Sequence, residues 1–417
     1  MNSALSLPYG RGTLHCPKPP GFLGEFRLPP AEPLTTQELK ERLTAALAQP
    51  QGGPPLAKLA AAAKSALLVC DDHTRPTPVA DLLGPLLAVL TQAGIAPADI
   101  AFLVATGSHR EPTAAEAQAK LGRCARDLPV LIHREAETVP AGRTESGVPI
   151  HLNHHLARYD LIIGLGSILP HRYAGWSGGA KIICPGVTGR ATNAAVHLLI
   201  LADEHAALGQ SENRVRYAME AIARRARLSF IVNAILTPEG RIADVVAGDP
   251  VAAHRLGAKR AEAAYAVPVP QADVVLVSSY PEDANLWQAA KACYAAAAAV
   301  RPGGSIILVT PAPEGLGEHL DFFRLSCQVP AEIRAAVARG AVADGLGAAA
   351  AYALAQVRSR ARLYLVSEGI LPGEAEAAGC TWAATPETAL RLGLAQAGPD
   401  ATWLYLREGS IILPRPA

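Results

Sequence analysis

Four apolar runs of strand length, at residues 65–70, 99–105, 129–132 and 160–164, constrain this chain most. Segments with helical spacing, 79–93 and 114–121, follow the first two. Strands separated by helices pair in parallel, in a sheet covered on both faces, so the expected fold class is α/β, doubly wound. In such sheets ligands sit beyond the carboxyl ends of the strands. The three richest polar clusters, 71–78, 106–113 and 166–181, all follow strand ends, and one site would collect all three.

The first 60 residues carry loop signals and one helix, 36–48. Further along, 213–225 and 248–267 read as helices and 229–236 as a strand. Residues 268–271 (Pro-Val-Pro-Gln) read as a linker. Beyond it, strands 273–279, 305–310 and 363–366 and the Ala-rich helix 286–300 make a second Rossmann-like α/β unit. Two domains are therefore expected, 1–268 and 272–399. The alternating apolar tail, about 400–417, would return as a strand to one of them.

Composition excludes several classes. A formal charge of +1 gives no electrostatic argument for nucleic acid or an anionic membrane. No uncharged apolar run is long enough to span a bilayer, since Lys291 interrupts the Ala-rich helix. The start lacks the basic-then-apolar pattern of a secretory signal. Seven cysteines, at 16, 70, 124, 184, 293, 327 and 380, form no CxxC pair, a cytosolic pattern rather than a disulfide framework or zinc ribbon.

Chemistry-bearing residues concentrate in the strand-end loops. In Asp72-His73-Thr74-Arg75-Pro76-Thr77-Pro78, Arg75 offers a donor fork for a carboxylate or phosphate, and Asp72 is placed to orient it. Thr77 and Pro78 also read as a capped helix start. His109 follows Gly107 just past a strand end and is either an ordinary surface histidine or a proton-transfer group. The stretch 164–197 is too rich in glycine and proline for regular structure over its first half, and it carries His171, Lys181 and His197. Gly175-Trp176-Ser177-Gly178-Gly179 matches the GxSxG elbow, but the strand ends well before Ser177 and no long helix follows. Lys181 lacks the Ser or Thr of a P-loop, and no HExxH is present. What remains is a Gly-rich ligand loop carrying an amine. Trp287, Gln288 and Lys291 share one helical face; by spacing alone Lys291 reads as a lysine reaching solvent.

Taken in order, DxTRPxP at 72–78, GSHR at 107–110, PHxxAGxSGGAK at 170–181, PGVTG at 185–189, His197, GD with His254 at 248–254, and QAxK at 288–291 resemble the lactate racemase family, which uses a nickel-pincer nucleotide. The resemblance implies a cofactor-binding N-terminal domain, a C-terminal domain contributing substrate-binding residues, an active site in the cleft between them, and a tail returning to the first domain. It implies that Lys181 holds the cofactor, the pyridinium-3-thioamide-5-thiocarboxylic acid mononucleotide nickel complex, within a loop that includes Ser177, Gly178 and Gly179. His197 would be the protein ligand to nickel, and His109 and His171 the acid–base pair. Arg75, Gln288 and Lys291, with Trp287 and Asp72 beside them, would bind a small 2-hydroxy acid. The implied activity is racemisation or epimerisation by reversible hydride transfer from the α-carbon, in a protein served by cofactor-synthesis proteins. Which 2-hydroxy acid is left open. The alternatives are a serine hydrolase built on Ser177 and a non-catalytic binder of organic acids or nucleotides.

Overall fold

The computed structural model describes residues 4–123, 126–203 and 205–417; Cys124, one of the seven cysteines, lies outside them. The chain forms two compact units.

The first comprises residues 30–199 and 203–264. Its six-stranded sheet runs Ile242–Gly248, Leu228–Leu236, Leu161–Ser167, Ala66–Asp71, Ile100–Ala105, Val130–Ile132 across the molecule. All neighbours are parallel except the Ile242–Gly248 edge. The strands Ala66–Asp71 and Ile100–Ala105 are apolar almost throughout because helices cover both faces. Leu43, Leu68, Phe102, Ile163 and Val232 lie in one fully buried core. The helix Thr36–Ala48 starts where Thr35 and Glu38 cap each other reciprocally, and Thr113 and Glu116 do the same for Ala114–Leu121. Ala66–Asp71 and Leu161–Ser167 are adjacent but far apart in the chain, with the connections leaving in opposite directions. That is a topological switch point, where such sheets open a crevice for ligands.

The second unit comprises residues 1–29, 200–202 and 265–417. Its sheet is parallel throughout, in the order Thr381–Trp382, Arg362–Val366, Val300–Val309, Ala272–Ser278, Trp403–Leu406, Phe22–Phe26. The start of the chain differs from the sequence-based expectation. The loop-like start contains the antiparallel hairpin Leu5–Tyr9 and Gly12–Cys16 and the edge strand Phe22–Phe26. The tail returns as strands, as its alternation suggests, and does so within this second unit. Trp403–Leu406, buried at every residue, fills the space between Ala272–Ser278 and Phe22–Phe26, and Leu413–Pro416 pairs with Ala266–Val269. Among the described residues, no helix is long and apolar enough to cross a membrane.

Candidate functional site

The loop after Ala66–Asp71 and the loop after Ile100–Ala105 meet through side chains. His109 places Nδ1 2.7 Å from the Asp72 carboxylate and Nε2 2.8 Å from an Arg75 guanidinium nitrogen. Guanidinium only donates, so Nε2 carries the lone pair and Nδ1 the proton. The Thr74 hydroxyl donates to the other Asp72 oxygen at 2.5 Å. Asp72 is 1% exposed. Burial alone would raise its pKa, but the hydrogen bond and charge of His109, the charge of Arg75 and the Thr74 hydroxyl together hold it well below the usual carboxylate range. Asp72 therefore orients His109 as well as facing Arg75.

Beneath this cluster Asp71 pairs with Lys120 at 2.7 Å, and Lys120 also donates to the Arg75 carbonyl at 2.8 Å. Thr77 does not cap the helix Val79–Gln92, as the sequence suggests. Its hydroxyl bridges Asp71 and Ser167, at 2.5 and 2.9 Å, across the switch point. Neither Asp71 nor Lys120 stands out in the sequence, because single charges without spacing carry no motif.

The loop after Leu161–Ser167 carries the remaining residues of this unit. His171 Nδ1 accepts from the backbone N–H groups of Tyr173 (3.3 Å) and Ala174 (3.2 Å), so in the neutral ring the proton sits on Nε2. His109 and His171 are thus held in opposite tautomers, one presenting a lone pair and the other an N–H. Tyr173 packs edge-on against both His171 and His197, with ring centroids 5.5 and 5.4 Å apart. His197, near the end of the helix Arg190–Leu198, donates from Nδ1 to the Asn193 carbonyl at 2.7 Å, which puts its lone pair on Nε2.

Lys181 lies in the single 3₁₀ turn Gly179–Ile182. Gly178 and Gly179 have φ of +72° and +60°, and a Cβ on Gly179 would come within 2.8 Å of the His254 ring. Asn233 accepts from the Gly179 N–H at 2.8 Å, and His254 Nε2 donates to the Ser177 carbonyl at 3.0 Å. Fully buried Arg216 donates to the carbonyls of Ala174, Trp176 and Gly178, clamping the loop from below. Burial, with the nearby Arg216 charge, pushes the His254 pKa well below the ordinary histidine range, so the ring is neutral. The Ser177 hydroxyl donates to the Ser167 carbonyl at 2.7 Å and accepts from the Leu169 N–H at 2.8 Å. Both its hydrogen-bonding roles are thereby taken up by backbone, and no base accepts its proton. That geometry gives a serine nucleophile at 177 no support.

In the second unit Lys291 pairs with Glu282 and donates to the Gln288 side-chain carbonyl at 2.6 Å. Lys291 is thus a held cation rather than one extended into solvent, and Glu282 is a residue that sequence reasoning missed. Trp287 packs on His319.

Residues 9–209 match the model of the lactate racemase N-terminal domain, and residues 267–413 that of the lactate racemase C-terminal domain. The chain belongs to the lactate racemase family. The lactate racemase of Lactiplantibacillus plantarum is 32% identical over 292 residues, 68% of each chain. That of Thermoanaerobacterium thermosaccharolyticum is 30% identical over 322 residues, 75% of each chain. The structure of the lactate racemase apoprotein from the latter organism covers 99% of this chain and is itself covered completely, with a TM-score of 0.89 and 25% identity. A Thermotoga maritima protein shares the fold, with a TM-score of 0.69 and 19% identity over 93% of this chain and all of its own.

The lactate racemase family generally uses a nickel-pincer nucleotide, and the donor set here fits it. A histidine with Nδ1–H bonded to a carbonyl is the tautomer a metal ligand needs at Nε2. Among the described residues no group of three His, Cys, Asp or Glu side chains could hold a metal. His197 would hold the metal of such a cofactor through Nε2.

Proposed function

We propose that this member of the lactate racemase family racemises or epimerises a 2-hydroxy acid. Lys181 and His197 would hold the nickel-pincer nucleotide, in a loop shaped by Ser177, Gly178 and Gly179. His109 and His171 would be the acid–base pair, with Arg75, Gln288 and Lys291 binding the substrate. The observation that carries this reading is the 2.8 Å contact between Arg75 and His109 Nε2. A 2-hydroxy acid has its carboxylate and hydroxyl on adjacent carbons, and here a carboxylate-binding fork and a proton acceptor lie one hydrogen bond apart.

When bound, the cofactor supplies reversible hydride acceptance, which no protein side chain can offer. Arg75 engages the carboxylate and releases the His109 lone pair to the hydroxyl. His109 Nε2 takes the hydroxyl proton, and the positive charge that develops on its ring is balanced by Asp72. His171, with its proton on Nε2, is the group that returns a proton to oxygen. Two such groups are required because inverting the carbon moves its hydroxyl. The cationic Lys291, fixed by Glu282 and Gln288, supplies a second anchor for the acid.

The test is co-expression with the cofactor-synthesis proteins, followed by intact mass and nickel analysis. The expected result is a covalent adduct on Lys181, absent in Lys181→Ala, with stoichiometric nickel that His197→Ala loses. An unmodified Lys181 in a nickel-free protein that nevertheless interconverts 2-hydroxy acids would overturn the cofactor assignment.

A further inference from the structure

Beside Lys291 and Gln288 stands a built group of side chains that extends from Trp287 to His319, Phe322 and Asp344. Trp287 immediately precedes Gln288, at the start of the helical segment Leu286–Ala289. The His319 ring stacks on its indole with centroids 4.1 Å apart and planes tilted by 34°. Phe322 packs edge-on against the same indole, at 5.3 Å and 87°. His319 Nδ1 lies 2.7 Å from the Asp344 carboxylate. Asp344 is itself fixed, accepting from the N–H groups of Leu346 and Gly347 (3.1 and 3.2 Å), while its own N–H donates to Asp321 at 2.7 Å. Burial opposes ionisation of Asp344, but its bonds to His319 and to the helix N–H groups keep its pKa below the usual carboxylate range.

Such a chain of fixed groups is more than packing needs. An apolar contact against Trp287 would serve as well with any ring, whereas here the imidazole is oriented through Nδ1 by an ionised carboxylate that a helix start holds in place. That bond commits the Nδ1 proton and leaves Nε2 to define what His319 recognises. With Nδ1–H committed to Asp344, Nε2 of the neutral ring is an acceptor. A hydroxyl on the substituent donates to it, and an alkyl group offers it no hydrogen bond.

We propose that Trp287 and His319, held by Asp344, form the subsite for the substrate's substituent and select 2-hydroxy acids carrying a further hydroxyl on the next carbon over those with a plain alkyl group. This rests on the racemase reading for the chemistry, but the subsite itself is a property of the protein without cofactor.

The test has two arms. In the first, the affinities of glycerate, a 2,3-dihydroxy acid, and of lactate, its alkyl counterpart, are measured calorimetrically on wild type and on His319→Phe. Phenylalanine keeps the stack on Trp287 and removes Nε2. Wild type should bind glycerate at least about tenfold more tightly than lactate, and His319→Phe should lose most of that ratio. Asp344→Asn, which frees the imidazole, should lower the ratio as well. In the second arm, the kcat/KM ratio for the same two acids is compared on reconstituted holoenzyme. Equal binding of the two acids by wild type, or a ratio unchanged in His319→Phe, would overturn the subsite. A ratio that falls in the binding arm while loaded enzyme racemises neither acid would support the subsite and count against the racemase reading.

Discussion

At the residue scale, the Asp72–His109–Arg75 contacts set the chemistry, because they decide which nitrogen of His109 carries the proton. Asp72→Asn keeps the shape but lets the ring turn to the other tautomer, with N–H at the reacting position. The expected outcome is a fall in kcat of about 10²–10⁴-fold with little change in KM. Steady-state kinetics on loaded enzyme check it, and a KM effect alone would assign Asp72 to binding. His109→Gln and His171→Gln should each abolish interconversion, measured by chiral chromatography, while the mass adduct on Lys181 is retained. Arg75 and His109 stand out in the sequence because they fall in short polar clusters directly after apolar runs. Asp72 stands out too, but its partner does not: one carboxylate near two donors can serve either, and only the folded loop places His109 on it. Lys120 and Glu282 have no such signal, being single charges whose meaning comes from what the fold sets opposite them.

At the scale of elements, the loop bearing Lys181 depends on a close approach that a methyl group would prevent. Gly179→Ala places a Cβ 2.8 Å from the His254 ring at a φ of +60°. A loss of about 1–2 kcal/mol is expected from the backbone conformation alone, seen as a lowered urea midpoint together with a reduced yield of the Lys181 adduct. An unchanged adduct yield would show that the turn tolerates displacement. The helices Thr36–Ala48 and Ala114–Leu121 are legible to the residue because Thr35 with Glu38 and Thr113 with Glu116 spell capping boxes. The hairpin Leu5–Tyr9 with Gly12–Cys16 is not, since Pro8, Gly10 and Gly12 mark it as loop. Its inward residues Leu5, Leu7 and Cys16 gain their strand character from the core they enter, alongside Val274 and Ile307.

At the scale of the whole molecule, the alternation of strands and helices suffices for the fold class but not for which distant segments pair. Nothing local in Phe22–Phe26 or Trp403–Leu406 says that they lie side by side, because that pairing joins opposite ends of the sequence. Buried histidines also tie stability to pH. The His254 pKa in the folded chain lies well below 6.5, its ordinary value and the one expected when unfolded. Below pH 6.5 the unfolded chain takes up a proton that the folded one refuses, so stability is full above that pH and declines as the pH falls. The slope from such a group reaches about 1.4 kcal/mol per pH unit. Urea midpoints should therefore drop between about pH 7.5 and 5.5, and drop less in His254→Asn. An identical decline in the variant would place the effect on other groups, such as His133, whose burial shifts it the same way.

The most direct measurement starts from one enantiomer of a 2-hydroxy acid and loaded enzyme, and follows the other enantiomer by chiral chromatography. The expected result is convergence on an equal mixture from either starting hand, lost in His109→Gln and in His171→Gln. Enzyme that carries the Lys181 adduct and nickel, yet leaves every enantiopure acid of a broad panel unchanged, would contradict the proposed function.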